Sequence, residues 1–372
     1  MKQKIGYYGW LGHNNTGDEA AYLANKQLFN EYELVPFCKN NDSNVTLLGG
    51  CTMLPSALVG WRGEHQIKKR KINYGIGLGI QDPEFHNRRC HRIDVTWAAG
   101  RLGFHLNQAL GRLRYIWPAI NIANNKLGRP LNLGGYYILD QDFEKIRKFG
   151  FDRIGVRGPV SQEILQRYGI ASTIVGDTVL YLEPTAYHYD KSHKIAISIR
   201  DKGPKWENTT NYLKELILFC NSISDAYRFI VLPIYPPDME LGKKLNREIN
   251  NSILLDFTTN IDVRGLLDEI SSCDLMIGEK LHANVLSACC HVPFISIEYD
   301  PKSYDFVCTL GLEELNIRID KVTYEKLEEL FNKAIDNQDI IDRLKQNVET
   351  IRKKLESFAD VIKTDIEHEL RV

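Results

Sequence analysis

Residues 275–300 read Leu275-Met-Ile-Gly278-Glu-Lys280-Leu-His282-Ala-Asn284-Val-Leu-Ser-Ala-Cys-Cys290-His-Val-Pro-Phe294-Ile-Ser-Ile-Glu298-Tyr-Asp300. A short apolar run at 275–277 is followed by a helical pattern at 281–290 and a second apolar run at 294–297. Strand, helix and strand at that spacing predict a βαβ unit and therefore a parallel sheet. Working outward, further strands fall at 195–199, 229–232 and 252–255, with helices at 211–223 and 262–271. The first half repeats the pattern, with strands at 4–8, 45–48, 72–76, 153–156 and 173–175. Residues 83–130, rich in Arg, His, Asn and Trp, read as helices and surface loops. The polar, Pro184-containing segment 183–192 reads as a linker. Residues 324–369 carry apolar positions at three- and four-residue spacing, a helical tail. The expected architecture is α/β, with two Rossmann-like domains around a cleft. They comprise residues 1–185, and 186–372 with the tail.

Composition narrows the function. The chain has 372 residues, 47 Lys and Arg against 48 Asp and Glu, and a net charge of −1. Without a global basic field, no nucleic-acid partner is expected, and an anion site must come from a few placed cations. The eight cysteines are scattered and include no C-x-x-C pair, as in a reduced cytoplasmic protein. No apolar run of about 18 residues predicts a membrane span. His86, Cys90 and His91 match no common zinc spacing, so no metal is expected.

Ligands of parallel sheets bind beyond the carboxyl ends of the strands. In the second half those positions hold Arg200, Tyr235, Lys280, His282, Glu298 and Lys302. Three cations and a histidine on one sheet edge repel one another, which makes sense if a multiply charged anion binds there. The start of the helix at Leu281 adds unpaired N–H groups and the positive end of its dipole. In the first turn of that helix the dipole lowers the His282 pKa somewhat while a bound phosphate raises it, which suits a proton donor near pH 7. In the first half, Gly9-Trp-Leu-Gly12-His-Asn-Asn15-Thr-Gly17-Asp18-Glu19-Ala20 joins strand to helix, with Thr16 or Asp18 as its cap and Asp18 or Glu19 as a candidate base. Arg157 follows the strand at 153–156 and presents another cation from the first domain. No Walker A loop is present, and Gly75-x-Gly77-x-Gly79 does not fit a dinucleotide fingerprint. No redox cofactor is expected.

The ordered set of motifs resembles the polysaccharide pyruvyl transferase family. Gly6-Tyr-Tyr-Gly9 with Asn15-Thr-Gly-Asp-Glu-Ala20 is similar to its N-terminal signature, and Leu48-Gly-Gly50 to its glycine-rich strand end. Gly75-Ile-Gly77-Leu-Gly79, Val156-Arg157, Val175-Gly-Asp177, Ile199-Arg200 and Leu232-Pro-Ile-Tyr-Pro-Pro237 follow in order. Lys280-Leu-His282 and Tyr299-Asp-Pro-Lys302 complete the set. The family often has Arg where Lys280 stands, so a bidentate grip is lost there.

The resemblance implies a GT-B-like fold and a cytoplasmic enzyme. It would move pyruvyl from phosphoenolpyruvate onto two hydroxyls of a sugar in a surface or capsular polysaccharide precursor, forming a cyclic ketal. It implies donor binding and catalysis at Arg157, Arg200, Lys280, His282 and Lys302. Tyr235 and Asn15 complete the expected substrate contacts. A lipid-linked acceptor would bring the protein to the inner membrane face without an anchor. Two rival readings use the same cleft: a GT-B glycosyltransferase taking a nucleotide sugar, with Glu298 as the ribose carboxylate, and a non-catalytic anion-binding module.

Overall fold

The computed structural model describes residues 2–36, 43–50, 52–59, 70–88, 138, 140–201 and 212–371. Its first sheet is built from β1 (Lys4–Tyr8), β2 (Glu33–Pro36), β3 (Val45–Leu48), β5 (Ile72–Ile80), β6 (Arg153–Val156) and β7 (Thr173–Ile174), in spatial order β2-β1-β3-β5-β6-β7. Every pairing along that order is parallel. The second sheet holds β8 (Lys194–Ser198), β9 (Arg228–Val231), β10 (Ser252–Leu254), β11 (Leu275–Gly278), β12 (Phe294–Glu298) and β13 (Asn316–Arg318), in order β10-β9-β8-β11-β12-β13. It too is parallel throughout. In both sheets the chain winds one way from an early strand and then returns to its other side. This creates a switch point between β1 and β3, and another between β8 and β11. The expected α/β architecture is present.

Helices α1 (Thr16–Leu28) and α5 (Pro159–Arg167) follow β1 and β6. In the second half come α6 (Tyr212–Ser222), α7 (Met239–Glu248), α8 (Val263–Ser271), α9 (Leu281–Cys289) and α10 (Pro301–Thr309). The strands are nearly continuous apolar runs because helices cover both faces, as parallel sheets require. β2 and β13 went unread in the sequence. Both are short edge strands without an apolar run. β5 extends through the glycines to Ile80, four residues beyond the apolar signal.

Contacts divide the chain into two compact units. One comprises residues 1–52, 68–80 and 150–372 and so contains every strand in the two orders given above; the other comprises 53–67 and 81–149. The linker read at 183–192 therefore separates the sheets in sequence, while their contacts unite them. Within the second unit lie the short strand β4 (Met53–Leu54) and helices α2 (Ser56–Val59), α3 (Pro83–Arg88) and α4 (Asp140–Phe149). Most of the segment read as helices and loops at 83–130 lies outside the described residues, as do Cys38, Cys51, Cys90 and His91.

The tail is two helices, α11 (Tyr324–Ala334) and α12 (Gln338–Arg371). Asp336 at φ 54° breaks the helical path between them. The stripe Ile340, Leu344, Val348, Ile351, Leu355, Ala359, Ile362 and Ile366 of α12 is buried. This stripe starts against the second half, where Asn347 donates to the Leu310 carbonyl, and ends against the first sheet at Gly155 and Gly176. Midway, buried Arg352 donates to the carbonyls of Leu180, Leu182 and Cys289. One side chain thus ties the segment just before the linker to the end of α9. Among the described residues, no helix is long and apolar enough to cross a membrane. The five described cysteines are all free.

Candidate functional site

The carboxyl end of the first sheet meets that of the second around the start of α1. Asn15 caps this helix, its side chain accepting from the Gly17 N–H at 3.2 Å. Thr16, one of the two expected caps, is engaged elsewhere. Its N–H donates to the Ile234 carbonyl at 3.0 Å and its hydroxyl to the Phe257 carbonyl at 3.2 Å, both beyond strand ends of the second sheet. Docked there, Gly17 lies directly against the His282 imidazole. A Cβ at position 17 would collide with that ring, so only glycine permits the approach.

His282 stands in the first turn of α9, as the sequence predicts, with Lys280 at the N-cap position. No side chain caps this helix start, whereas Asp262 caps α8 and Asp300 caps α10. Burial lowers the His282 pKa to about 4, and Arg157, Lys302 and Lys280 push the same way against Asp177. The imidazole is therefore neutral at pH 7, and its expected role as a proton donor needs the negative charge of a bound anion beside it.

Arg200 extends from the end of β8, at the switch point with β11. Its guanidinium carbon stands 4.2 Å from the centre of the Tyr299 ring, a cation–π stack. Lys302 approaches the same ring at 5.1 Å. Burial lowers the Lys302 pKa, as do Arg157 and Arg200, while Asp300 and Asp18 oppose. Lys280 lies 4.8 Å from the Tyr235 ring centre and pairs with Asp238 at 2.7 Å. The second-half cations expected from the sequence thus share one edge.

Two carboxylates that the sequence reading missed share it too. Asp238 and Glu279 are both buried, beside Lys280 and Arg200 respectively. They offset part of the positive charge, so the picture of uncompensated cations needs correction. Glu279 follows β11 directly and accepts from the Arg200 N–H at 3.2 Å and the Tyr212 hydroxyl at 2.9 Å. The signal was present in Gly278-Glu-Lys280: an acid at the residue after a buried strand faces the same edge as its basic neighbour.

Arg157 occupies a different setting. It is 1% exposed, and its Nε donates to Asp177 at 2.8 Å while Nη2 donates to the Gly50 carbonyl at 2.7 Å. Asp177 in turn accepts from the Val179 N–H. These bonds make Arg157 a strut at the first sheet's end, near enough to His282 and Lys302 to lower the pKa of both. Glu19 folds back to accept from the Gly12 N–H at 2.9 Å. Asp18 is buried and interacts electrostatically with Lys302. Asp305, from α10, accepts from the Val160 and Ser161 N–H groups and from the Ser161 hydroxyl, capping α5 of the first half. Glu298 accepts from Asn316 and lines a separate open hollow of about 640 Å³ with Glu313, Arg318 and Lys326. That hollow shares no lining residue with the cation cluster, so its size gives it no claim on the chemistry.

Residues 121–301 match the family model of the polysaccharide pyruvyl transferases. This is the family that the motifs resemble. The matched segment includes Arg157, Arg200, Tyr235, Lys280 and His282 of the pyruvyl transferase motifs; Asn15, Asp18, Glu19 and Lys302 lie outside it. The match supports transferase activity in polysaccharide pyruvylation. No curated protein matches the chain significantly. Among solved structures, the chain is similar to a glycotransferase of kitacinnamycin at TM-score 0.47 and 12% identity, covering 98% of this chain and 99% of that one. It is similar to a putative UDP-N-acetylglucosamine 2-epimerase from Listeria monocytogenes at TM-score 0.47 and 11% identity, covering 99% and 98%. Similarity to the calicheamicin glycosyltransferase CalG4 has TM-score 0.44 and 12% identity, covering 98% of each chain.

Proposed function

We propose that the protein moves the pyruvyl group of phosphoenolpyruvate onto two hydroxyls of a sugar, releasing phosphate and leaving a cyclic ketal. The observation that carries this reading is the convergence of Arg200, Lys280, His282 and Lys302 with the uncapped start of α9. Phosphoenolpyruvate has a carboxylate and a phosphate to divide among these groups. Arg200, stacked on Tyr299, forks the carboxylate. Lys280, Lys302 and the α9 N–H groups take the phosphate.

The donor's negative charge raises the His282 pKa and makes the imidazolium available. The imidazolium protonates the methylene carbon, which becomes the ketal methyl, while the first sugar hydroxyl adds to the central carbon. Asp18 or Glu19 removes that hydroxyl's proton; Asp18 is the better placed, since Glu19 is held by Gly12. Phosphate then departs with the electron pair of its C–O bond, and the second hydroxyl adds to the same carbon and closes the ring, its proton returning to the neutral His282 imidazole. The reaction needs no redox cofactor. Arg157 supports this wall through Asp177 and Gly50. The acceptor is a glycan precursor, and a lipid-linked one would hold the enzyme at the inner membrane face.

Thermal unfolding with millimolar phosphoenolpyruvate, and with UDP- and GDP-sugars in parallel, tests the donor. At about 100 times its Kd the donor adds about 2.7 kcal/mol of stability. His282→Ala is expected to keep that shift and to lose phosphate release with an acceptor. A shift with a nucleotide sugar alone would favour the glycosyltransferase reading, and near wild-type turnover in His282→Ala would remove the imidazole from the mechanism.

A further inference from the structure

Arg200 and Glu279 form an incomplete pair at the switch point of the second sheet. Arg200 Nη1 and Glu279 Oε1 are 3.9 Å apart, too far for a hydrogen bond. Each of these two atoms is buried without a hydrogen-bond partner among the described residues. Buried polar atoms normally find partners, and a buried charge left half-satisfied is costly. The other Glu279 oxygen is occupied by the Arg200 N–H and the Tyr212 hydroxyl. The guanidinium carbon lies over the Tyr299 ring, 4.2 Å from its centre.

We propose that Glu279 is a proton-coupled positioning residue: it holds Arg200, and takes a proton from solvent when an anion engages the guanidinium. This inference rests on the donor reading above for the identity of the anion, but on geometry alone for the role of Glu279. An incoming carboxylate satisfies Arg200 Nη1 and leaves Glu279 as a second negative charge on the same guanidinium. Two carboxylates so close do not both stay ionised. The proton comes from water or buffer, and the Glu279 carboxyl then has a hydrogen to donate where Oε1 now has no partner.

The other groups around Glu279 leave room for that change. Arg200 and Lys280 stabilise its ionised form, as does the Tyr212 hydrogen bond, while Asp201 lies beyond Arg200 and Asp238 neutralises Lys280. Burial is the largest influence on Glu279 and outweighs them, raising its pKa to about 7. A carboxyl raised this far can take up a proton in the neutral range when a negative ligand arrives.

The test follows the Glu279 side-chain carboxyl carbon by NMR in the full-length protein labelled with ¹³C-glutamate, assigned by its loss in Glu279→Gln. Titrations are run ligand-free, with phosphoenolpyruvate, and with sulfate, which keeps its charge across this range. The ligand-free signal is expected to titrate near pH 7 and to move up by at least about one unit with a bound anion. Wild-type Kd for phosphoenolpyruvate should rise toward tenfold per pH unit above 7, relative to Glu279→Gln. Tyr212→Phe removes a hydrogen bond to the ionised form and should move the window upward. A ligand-free titration in the ordinary carboxylate range, or no movement with either anion, overturns the proposal. Movement with sulfate but no binding of phosphoenolpyruvate overturns the donor reading and leaves the role of Glu279 standing.

Discussion

Arg157 and Arg200 carry the same sequence signal, an arginine just past a buried parallel strand, yet the two sheets treat them differently. Arg157 reaches Asp177 at 2.8 Å and the Gly50 carbonyl at 2.7 Å. Arg200 stands 3.9 Å from Glu279 and rests on the face of an aromatic ring. A guanidinium with close, directed acceptors is already committed and braces the fold. One held by stacking and a long ion pair keeps its directional bonds for a ligand. Position relative to a strand identifies an edge residue; the distance to the nearest carboxylate decides its use.

The sharpest way to break this comparison is to remove each guanidinium in turn. Arg157→Ala leaves Asp177 buried without its cation and should cost about 3–5 kcal/mol of stability, read by denaturant unfolding. If it unfolds like wild type, the strut assignment is wrong. Arg200→Ala leaves Glu279 able to protonate near pH 7, so its stability cost should be smaller. Its loss should appear in phosphoenolpyruvate affinity, about ten- to a hundredfold, equivalent to about 1.5–3 kcal/mol for a charged hydrogen bond. Calorimetric titration showing equal affinity would place the donor carboxylate elsewhere.

The smallest effect sharpens the contrast through pH. His282 has its pKa lowered from 6.5 to about 4, so it contributes stability that is present above 6.5 and lost as pH falls through 4. Glu279 has its pKa raised from 4.5 to about 7, so its contribution is full below 4.5 and lost as pH rises through 7. Wild type should therefore lose stability relative to His282→Asn between pH 6.5 and 4. Glu279→Gln should be the more stable protein at pH 8. Unfolding curves at several pH values check both signs.

Much of the frame was legible because parallel sheets write themselves as apolar runs. Strands at 4–8, 45–48 and 153–156 match β1, β3 and β6 residue for residue, and the second-sheet strands match within one residue at each end. β2 and β13 were illegible because edge strands are short and only partly buried. The site was legible as an edge: Arg200, Lys280, His282 and Lys302 come together because their strands end together. Its charge balance was not, since Asp238 is far in sequence from the residues it neutralises. The cap of α1 was misread for a similar reason: Thr16 is taken by Ile234 and Phe257, more than two hundred residues away.

What the sequence determined by itself is therefore periodic or local: the alternation of strands and helices, the basic residues at strand ends, the histidine in a helix's first turn. Such features depend on neighbours a few residues away. Tertiary structure alone decided the ionisation and purpose of each group. It buried His282 against Gly17 and so made it neutral, closed Arg157 onto Asp177, and left Arg200 short of Glu279. Those outcomes turn on desolvation and on distances of one ångström between residues remote in the chain, and no local pattern encodes them.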